Sequence, residues 1–126
     1  MVTGSALTEK GEKTMAGEKV KVIIKRPDEK VGHVTNISTR IENLQKTVEG
    51  YIESINIEDD IYILLNEDGK LKLLGGNFWI RKPGFLDYIV GTVIVCRVNK
   101  DGDIVDLPDK YLKHWKELLW QWGNDF

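Results

Sequence analysis

Six polar or aromatic residues in the middle of the chain have the types that bind a nucleotide-like ligand. They are Tyr51, Glu53, Asn66, Asn77, Trp79 and Arg81. Amides, a carboxylate and a guanidinium can bind base edges, ribose hydroxyls or phosphates, and an aromatic ring offers a stacking face. Because these residues lie at the ends of predicted strands or in a glycine-rich connection, we expect them to line one site. The alternative is that Asn66 and Asn77 are turn residues and that Glu53 is a surface partner of Arg81.

Motifs for metals and phosphates do not accompany these residues. His33 and His114 are separated by most of the chain, and neither lies at ligand spacing from carboxylates. The acidic run from Glu58 to Asp60 lacks the spaced oxygen ligands of a calcium loop and is expected to be a solvated turn. The sequence has no HExxH, CxxC or glycine-rich phosphate motif. We therefore expect no metal and no cofactor.

The sequence also lacks a nucleophile in an activating motif. Cys96 lies in the apolar run VIVCRV, so we expect a buried small hydrophobe in a strand. No serine lies in a GxSxG turn. The protein is therefore expected not to be an enzyme. The alternative that stays open is a nucleotide-processing enzyme that uses Glu53 or Glu67 as its general base.

Composition indicates one ordinary globular domain. The 126 residues are 41% hydrophobic and 30% charged, with a net charge of -2, which argues against a nucleic-acid binder that works by phosphate neutralisation. No sequence-specific nucleic-acid partner is expected. No apolar run reaches the roughly 20 residues of a membrane helix. Without a signal segment, and with one cysteine, the protein is expected to be cytoplasmic with no membrane partner. Residues 1–17 are expected to be a disordered leader and residues 18–126 a single domain.

The first part of this domain reads as a hairpin followed by a helix. Alternating β-branched residues predict two antiparallel strands within residues 20–37. Ser38 or Thr39 is expected to cap the helix, and Thr39 with Glu42 has the form of a capping box. Gly50 is expected to end the helix in the left-handed conformation.

An antiparallel meander is predicted after this helix, with strands over 51–57, 61–66 and 71–74. An Asp-Gly pair indicates a tight turn between the last two strands. Residues 78–84 are expected to form a loop that closes over a ligand or covers the core, and residues 85–90 a short helical turn. A second Asp-Gly turn predicts a final hairpin before a C-terminal helix.

Three tryptophans lie close together in the predicted C-terminal helix: Trp115, Trp120 and Trp122. Trp115 and Trp122 share its apolar face, whereas Trp120 lies off that face and is expected to be exposed. The three form a candidate surface for a partner or for self-association, because aromatic residues are enriched in interface cores; simple capping of the core is the alternative. Together the elements predict an α+β fold, with an antiparallel sheet of six to seven short strands, one central helix and one C-terminal helix.

Four short segments occur in a fixed order between about Val20 and Leu107. They are a helix-to-strand junction (Leu44, Gln45, Val48, Gly50, Tyr51, Ile52, Glu53), a hairpin (Asn66, Glu67, Gly69, Lys70, Leu71), an asparagine (Asn77) and a glycine-threonine segment (Asp87, Ile89, Gly91, Thr92). In this order they resemble a small domain-of-unknown-function family of phages, prophages and mobile elements of Gram-positive bacteria.

The resemblance implies an accessory gene of a mobile element and no established reaction. For such a gene we expect a counter-defence binding protein, which sequesters a nucleotide-type signal or blocks a host defence protein by stoichiometric binding. Homo-oligomerisation would build such a site across subunits. The alternative is an adaptor or inhibitor that inserts the tryptophan-rich helix into the groove of a partner protein.

Overall fold

The computed structural model describes residues 18–124. The predicted leader, residues 1–17, and the last two residues lie outside this range. Within residues 18–124 the chain forms eight strands and two helices: β1 (Lys19–Lys25), β2 (His33–Ser38), α1 (Ile41–Val48), β3 (Ile52–Glu58), β4 (Ile61–Asn66), β5 (Gly76–Lys82), β6 (Phe85–Val90), β7 (Val93–Val98), β8 (Ile104–Val105) and α2 (Asp109–Asn124). The α+β prediction, with one central and one C-terminal helix, is confirmed.

The strands form two antiparallel sheets. The larger has six strands in the order β2-β1-β7-β4-β3, with β8 also paired to β7. The smaller is a ribbon of β5 and β6. The strands β1, β4 and β7 lie inside the larger sheet, which explains the nearly continuous apolar sequences of β4 and β7.

The larger sheet is covered on both faces, because successive side chains of a strand point to opposite sides. On one face, α1 packs Leu44 and Val48 against Val22 and Leu64. On the other face, the ribbon and α2 bury a second cluster that contains Phe78, Ile80, Ile89, Trp115, Leu119 and Trp122. The sheet is thus the middle layer of the molecule. None of the helices in the described part of the chain is long and apolar enough to cross a membrane.

Two elements of the middle region differ from the sequence prediction. Residues 71–74 are not a strand, because the chain after β4 coils in consecutive turns, with Lys72 N–H donating to Asp68 O and Leu74 N–H to Gly69 O. The predicted loop over 78–84 and helical turn over 85–90 are instead the two strands of the ribbon. Pro83 and Gly84 form its two-residue turn, where Gly84 has a φ of 76°.

The helix ends also differ from the prediction. The N-cap of α1 is Arg40, without a side-chain cap hydrogen bond, so the capping box of Thr39 and Glu42 does not form. At the other end Glu49, rather than Gly50, has the left-handed conformation, with a φ of 67°. The helix α2 ends at Asn124.

Candidate functional site

Two of the six predicted ligand residues line one recess of about 200 Å³ between β3, β4 and the ribbon. We call it the acidic recess because most of its polar lining residues are acidic. These polar residues are Glu53, Asn66, Glu67, Asp68, Lys70 and Asp87. The one lysine is paired with Asp87 at 2.9 Å. The recess therefore carries a clear excess of negative charge, which disfavours an anionic ligand.

The buried side chain of Asn66 holds two backbone segments together. Its Nδ2 donates to Val48 O, at the end of α1, over 3.0 Å. Its Oδ1 accepts from Asp68 N–H over 2.8 Å. A Cβ atom at Gly50 would lie 2.6 Å from the Nδ2 of Asn66, so the glycine is required by this close approach rather than by its own dihedral angles.

Asn77 occupies a different recess and also connects buried segments. Its Nδ2 donates to Lys25 O over 3.0 Å and to Gly91 O over 2.8 Å. Its Oδ1 accepts from the Lys25 ammonium. Both amide hydrogens are therefore used to join β1, β5 and the β6–β7 connection. Through its bonds to the backbone and the ammonium of Lys25, Asn77 positions this lysine.

The other three predicted ligand residues lie on more open surfaces. Trp79 and Arg81 are two positions apart on β5 and share the outer face of the ribbon, where Trp79 contacts Tyr88 at a ring distance of 5.2 Å. Tyr51 is 69% exposed. The structure thus distributes the six predicted residues over two recesses and the adjoining surface, and does not gather them into one pocket.

Lys25 is the functional candidate that the sequence analysis did not identify. It is 1% exposed, and its Nζ lies 5.5 Å from the centre of the Phe78 ring. Among residues 18–124 no carboxylate forms an ion pair with it. Burial lowers the pKa of Lys25, although the charges of Glu29 and Asp28 oppose the shift. A buried, weakly compensated lysine is costly to stability and is typical of functional sites.

Lys25 lies on the floor of a recess of about 330 Å³, which we call the lysine recess. The recess lies between the β1–β2 connection, the start of β5 and the last turn of α2. Its lining consists of Lys25, Pro27, Asp28, Glu29, Lys30, Gly76, Asn77 and Gly123. Two lysines oppose two carboxylates, so this recess lacks the strong negative excess of the acidic recess.

Glu29 at the rim is occupied by contacts of its own. Its carboxylate accepts from Arg26 N–H and contacts His33 Nδ1, each over 2.8 Å. Burial alone would raise the pKa of Glu29, but the bond from Arg26 N–H, the contact with His33 and the charge of Arg26 together hold this pKa below its usual value. The carboxylate is therefore ionised at neutral pH and contributes one negative charge to the rim.

The tryptophan groove is a third recess, with a volume of about 290 Å³ and a lining of Val31, Lys116, Glu117 and Trp120. Trp120 is 48% exposed, as predicted, whereas Trp115 and Trp122 are almost fully buried. Trp122 stacks on Phe78 with ring centroids 5.7 Å apart. Of the three tryptophans proposed as a partner surface, only Trp120 therefore presents a large exposed area.

The remaining candidate reactive groups are a buried cysteine and two glutamates of the acidic recess. Cys96 is fully buried in β7, and burial raises the pKa of its thiol to about 12, which leaves it protonated at neutral pH. Within the part of the chain that the structure describes, no group of three or more histidine, cysteine or acidic residues could hold a metal ion. Glu53 and Glu67, the candidate general bases, line the acidic recess.

Comparison with known families places this fold in a defined group. Residues 20–119 match the model of a family described as a domain of unknown function (DUF3846). The match covers most of the chain, so the protein belongs to this family. No curated protein and no solved structure matches the chain.

Proposed function

We propose that this protein is an accessory binding protein of a phage or mobile element, and that it captures a small nucleotide-type ligand in the lysine recess. Such a protein acts stoichiometrically, so its site needs polar groups that await the ligand rather than a nucleophile or a metal. If the captured ligand is an immune signal of the host, its capture gives the protein a counter-defence role.

The observation that carries the proposal is the buried ammonium of Lys25 on the floor of an open recess. Lys25 Nζ donates to Asn77 Oδ1, and an ammonium group has three hydrogens to donate. An anionic group that entered the recess would give the Lys25 ammonium a negatively charged partner, which no carboxylate among residues 18–124 supplies through an ion pair. The acidic recess is a weaker candidate for such a ligand because Glu53, Glu67 and Asp68 would repel it.

Native mass spectrometry of the protein purified from cells tests this proposal, before and after it is mixed with a pool of cyclic and linear nucleotides. We expect a defined small mass that the wild-type protein retains or acquires and that Lys25→Met loses. Lys21→Met is the matched control, because Lys21 lies on the same face of β1 but is bonded to Asp109 outside the recess. Wild-type protein that acquires no mass from the pool, or Lys25→Met protein that acquires it equally, contradicts the proposal.

The exposure of Trp120 favours a second candidate, in which the protein blocks a host defence protein through the tryptophan groove. Tryptophan is enriched among the residues that dominate protein interfaces, and Lys116 and Glu117 would form a polar rim. The experiment that tests this candidate is capture of host proteins by wild-type and Trp120→Ala protein. We expect a partner that depends on Trp120, and capture of the same proteins by both forms would contradict the candidate.

A further inference from the structure

The lysine recess and the tryptophan groove are neighbours on the molecular surface. Lys30 lines the first and Val31 the second. In α2, Gly123 lines the first, and Trp120, about one helical turn earlier, lines the second. The two recesses therefore share both of their walls, namely the β1–β2 connection and the end of α2.

Gly123 and Lys30 lie at the boundary between the two recesses, where a Cβ atom at Gly123 would lie 3.8 Å from Lys30 O, which is ordinary van der Waals contact. Gly123 has no side chain and so adds none to this boundary. A ligand that crosses the boundary would occupy both recesses, whose joint volume falls within the roughly 300–1,000 Å³ of small-molecule sites.

We infer that the two recesses form one bipartite site for a ligand with a planar aromatic group, which stacks on Trp120, and a single compact negative charge, which binds Lys25. This inference rests on the proposed function and specifies its ligand class. It assigns the exposed face of Trp120 to the ligand rather than to a partner protein. The aromatic half follows from the apolar groove beside the ring, and the charged half follows from the buried ammonium.

The charges around the lysine recess restrict the ligand to a single negative charge. Asp28 and Glu29 lie at the rim, and the carbonyl end of α2 adds a partial negative charge at Gly123. Lys25 and Lys30 balance the two carboxylates but leave the partial negative charge of the helix end uncompensated, so each further negative charge of a polyphosphate would be repelled. A phosphodiester, which carries one charge, fits this balance better than a triphosphate.

A series of adenosine derivatives tests the inference by isothermal titration calorimetry: adenosine, 3′,5′-cyclic AMP, AMP and ATP. We expect cyclic AMP to bind more tightly than adenosine, which lacks the charge, and more tightly than ATP, which has excess charge. Trp120→Ala should weaken the binding of adenosine and of cyclic AMP alike by about 5- to 150-fold, the range observed for loss of base stacking on an aromatic side chain. Lys25→Met should abolish the preference for cyclic AMP over adenosine.

Several variants separate the possible outcomes. Lys21→Met should bind the whole series like the wild type. If Trp79→Ala weakens binding and Trp120→Ala does not, the ligand lies on the outer face of the ribbon and the bipartite site is wrong. If Lys25→Met abolishes binding while Trp120→Ala leaves it unchanged, the proposed function stands and the bipartite site fails. Tighter binding of ATP than of cyclic AMP overturns the restriction to one charge, and no binding of any member overturns the assigned ligand class.

Discussion

Two lysines on the same face of β1 show how position decides the chemistry of a residue. Lys21 reaches Asp109, at the first turn of α2, and the hydrogen bond and charge of Asp109 raise the pKa of Lys21. Lys25, four residues later, lies beneath the last turn of α2, and burial lowers its pKa. The two side chains therefore make opposite contributions to the pH dependence of stability.

For Lys25 we expect stability to rise with pH. The pKa of Lys25 in the folded protein is lower than the 10.5 of an ordinary lysine. Between these two pKa values the unfolded chain binds more protons, so raising the pH favours folding. The unfolding free energy of the wild type, relative to that of Lys25→Met, should therefore increase as the pH rises toward 10.5. Urea denaturation of both proteins at several pH values above neutral measures this difference.

Lys21→Met is the control for this titration. Because the folded-state pKa of Lys21 is raised, its contribution is fully present below 10.5 and is lost only at higher pH. The difference between the wild type and Lys21→Met should thus stay constant over the range in which the Lys25 difference grows. A constant difference for Lys25→Met as well would mean that Lys25 is not desolvated in the folded protein.

The sequence itself contains a signal that identifies Lys25 as a candidate. Lys25 and Ile23 are two positions apart in a strand, so they point to the same face, which is the buried one. A lysine at a core-facing position is unusual enough to identify a candidate from sequence alone. Its surroundings could not be predicted, because Asn77 and Gly123 approach it only through tertiary packing.

At the level of the elements, Asn66 connects α1 to the segment that follows β4. We expect Asn66→Ala to lower the free energy of unfolding by about 1–3 kcal/mol, because it leaves Val48 O and Asp68 N–H without this buried partner. Asn36→Ala, at an exposed position of β2, should change it by no more than about 0.5 kcal/mol. Chemical denaturation of the two variants tests this role, and equal effects would contradict it.

Elements whose local sequence pattern agrees with their tertiary environment were predictable from sequence. The β1–β2 and β7–β8 hairpins combine an alternating apolar pattern with a turn signal. The helices α1 and α2 were predictable from their hydrophobic period, although the predicted caps of α1 do not form. The ribbon was not predictable in this way. Its inward residues Phe78, Ile80 and Ile89 are strand residues that pack onto α2 and the large sheet, and that packing depends on residues distant in sequence.

The failed strand over 71–74 has a local physical cause. The Asp-Gly pair suggested a tight turn with left-handed residues, yet Gly69 does not have a positive φ. A Cβ atom at Gly69 would lie 2.9 Å from Val90 Cγ2, so the glycine allows the turn to pack closely on β6. A glycine required for close packing and one required for a turn cannot be distinguished in a single sequence.

For the whole molecule, the packing of α2 on the large sheet should contribute strongly to stability. Leu119 is fully buried in the cluster on this face, whereas Leu71 is 85% exposed. We expect Leu119→Ala to lower the free energy of unfolding by about 2–5 kcal/mol, and Leu71→Ala to change it by no more than about 0.5 kcal/mol. Urea denaturation measures both, and similar values for the two leucines would contradict the packing of α2 described above.

The position of Trp120 and Gly123 also has an evolutionary consequence. The segment that matches the family ends at Leu119, and the last helical turn follows it directly. Under the inferred bipartite site, the residues that bind the anion lie mostly in the matched segment, while the residue that stacks on the aromatic group lies beyond it. Ligand preference is therefore separable from the fold. Replacing Trp120 alone would change the preferred aromatic group and leave the anion-binding half in place, whereas a change at Gly123 would also alter the lining of the lysine recess.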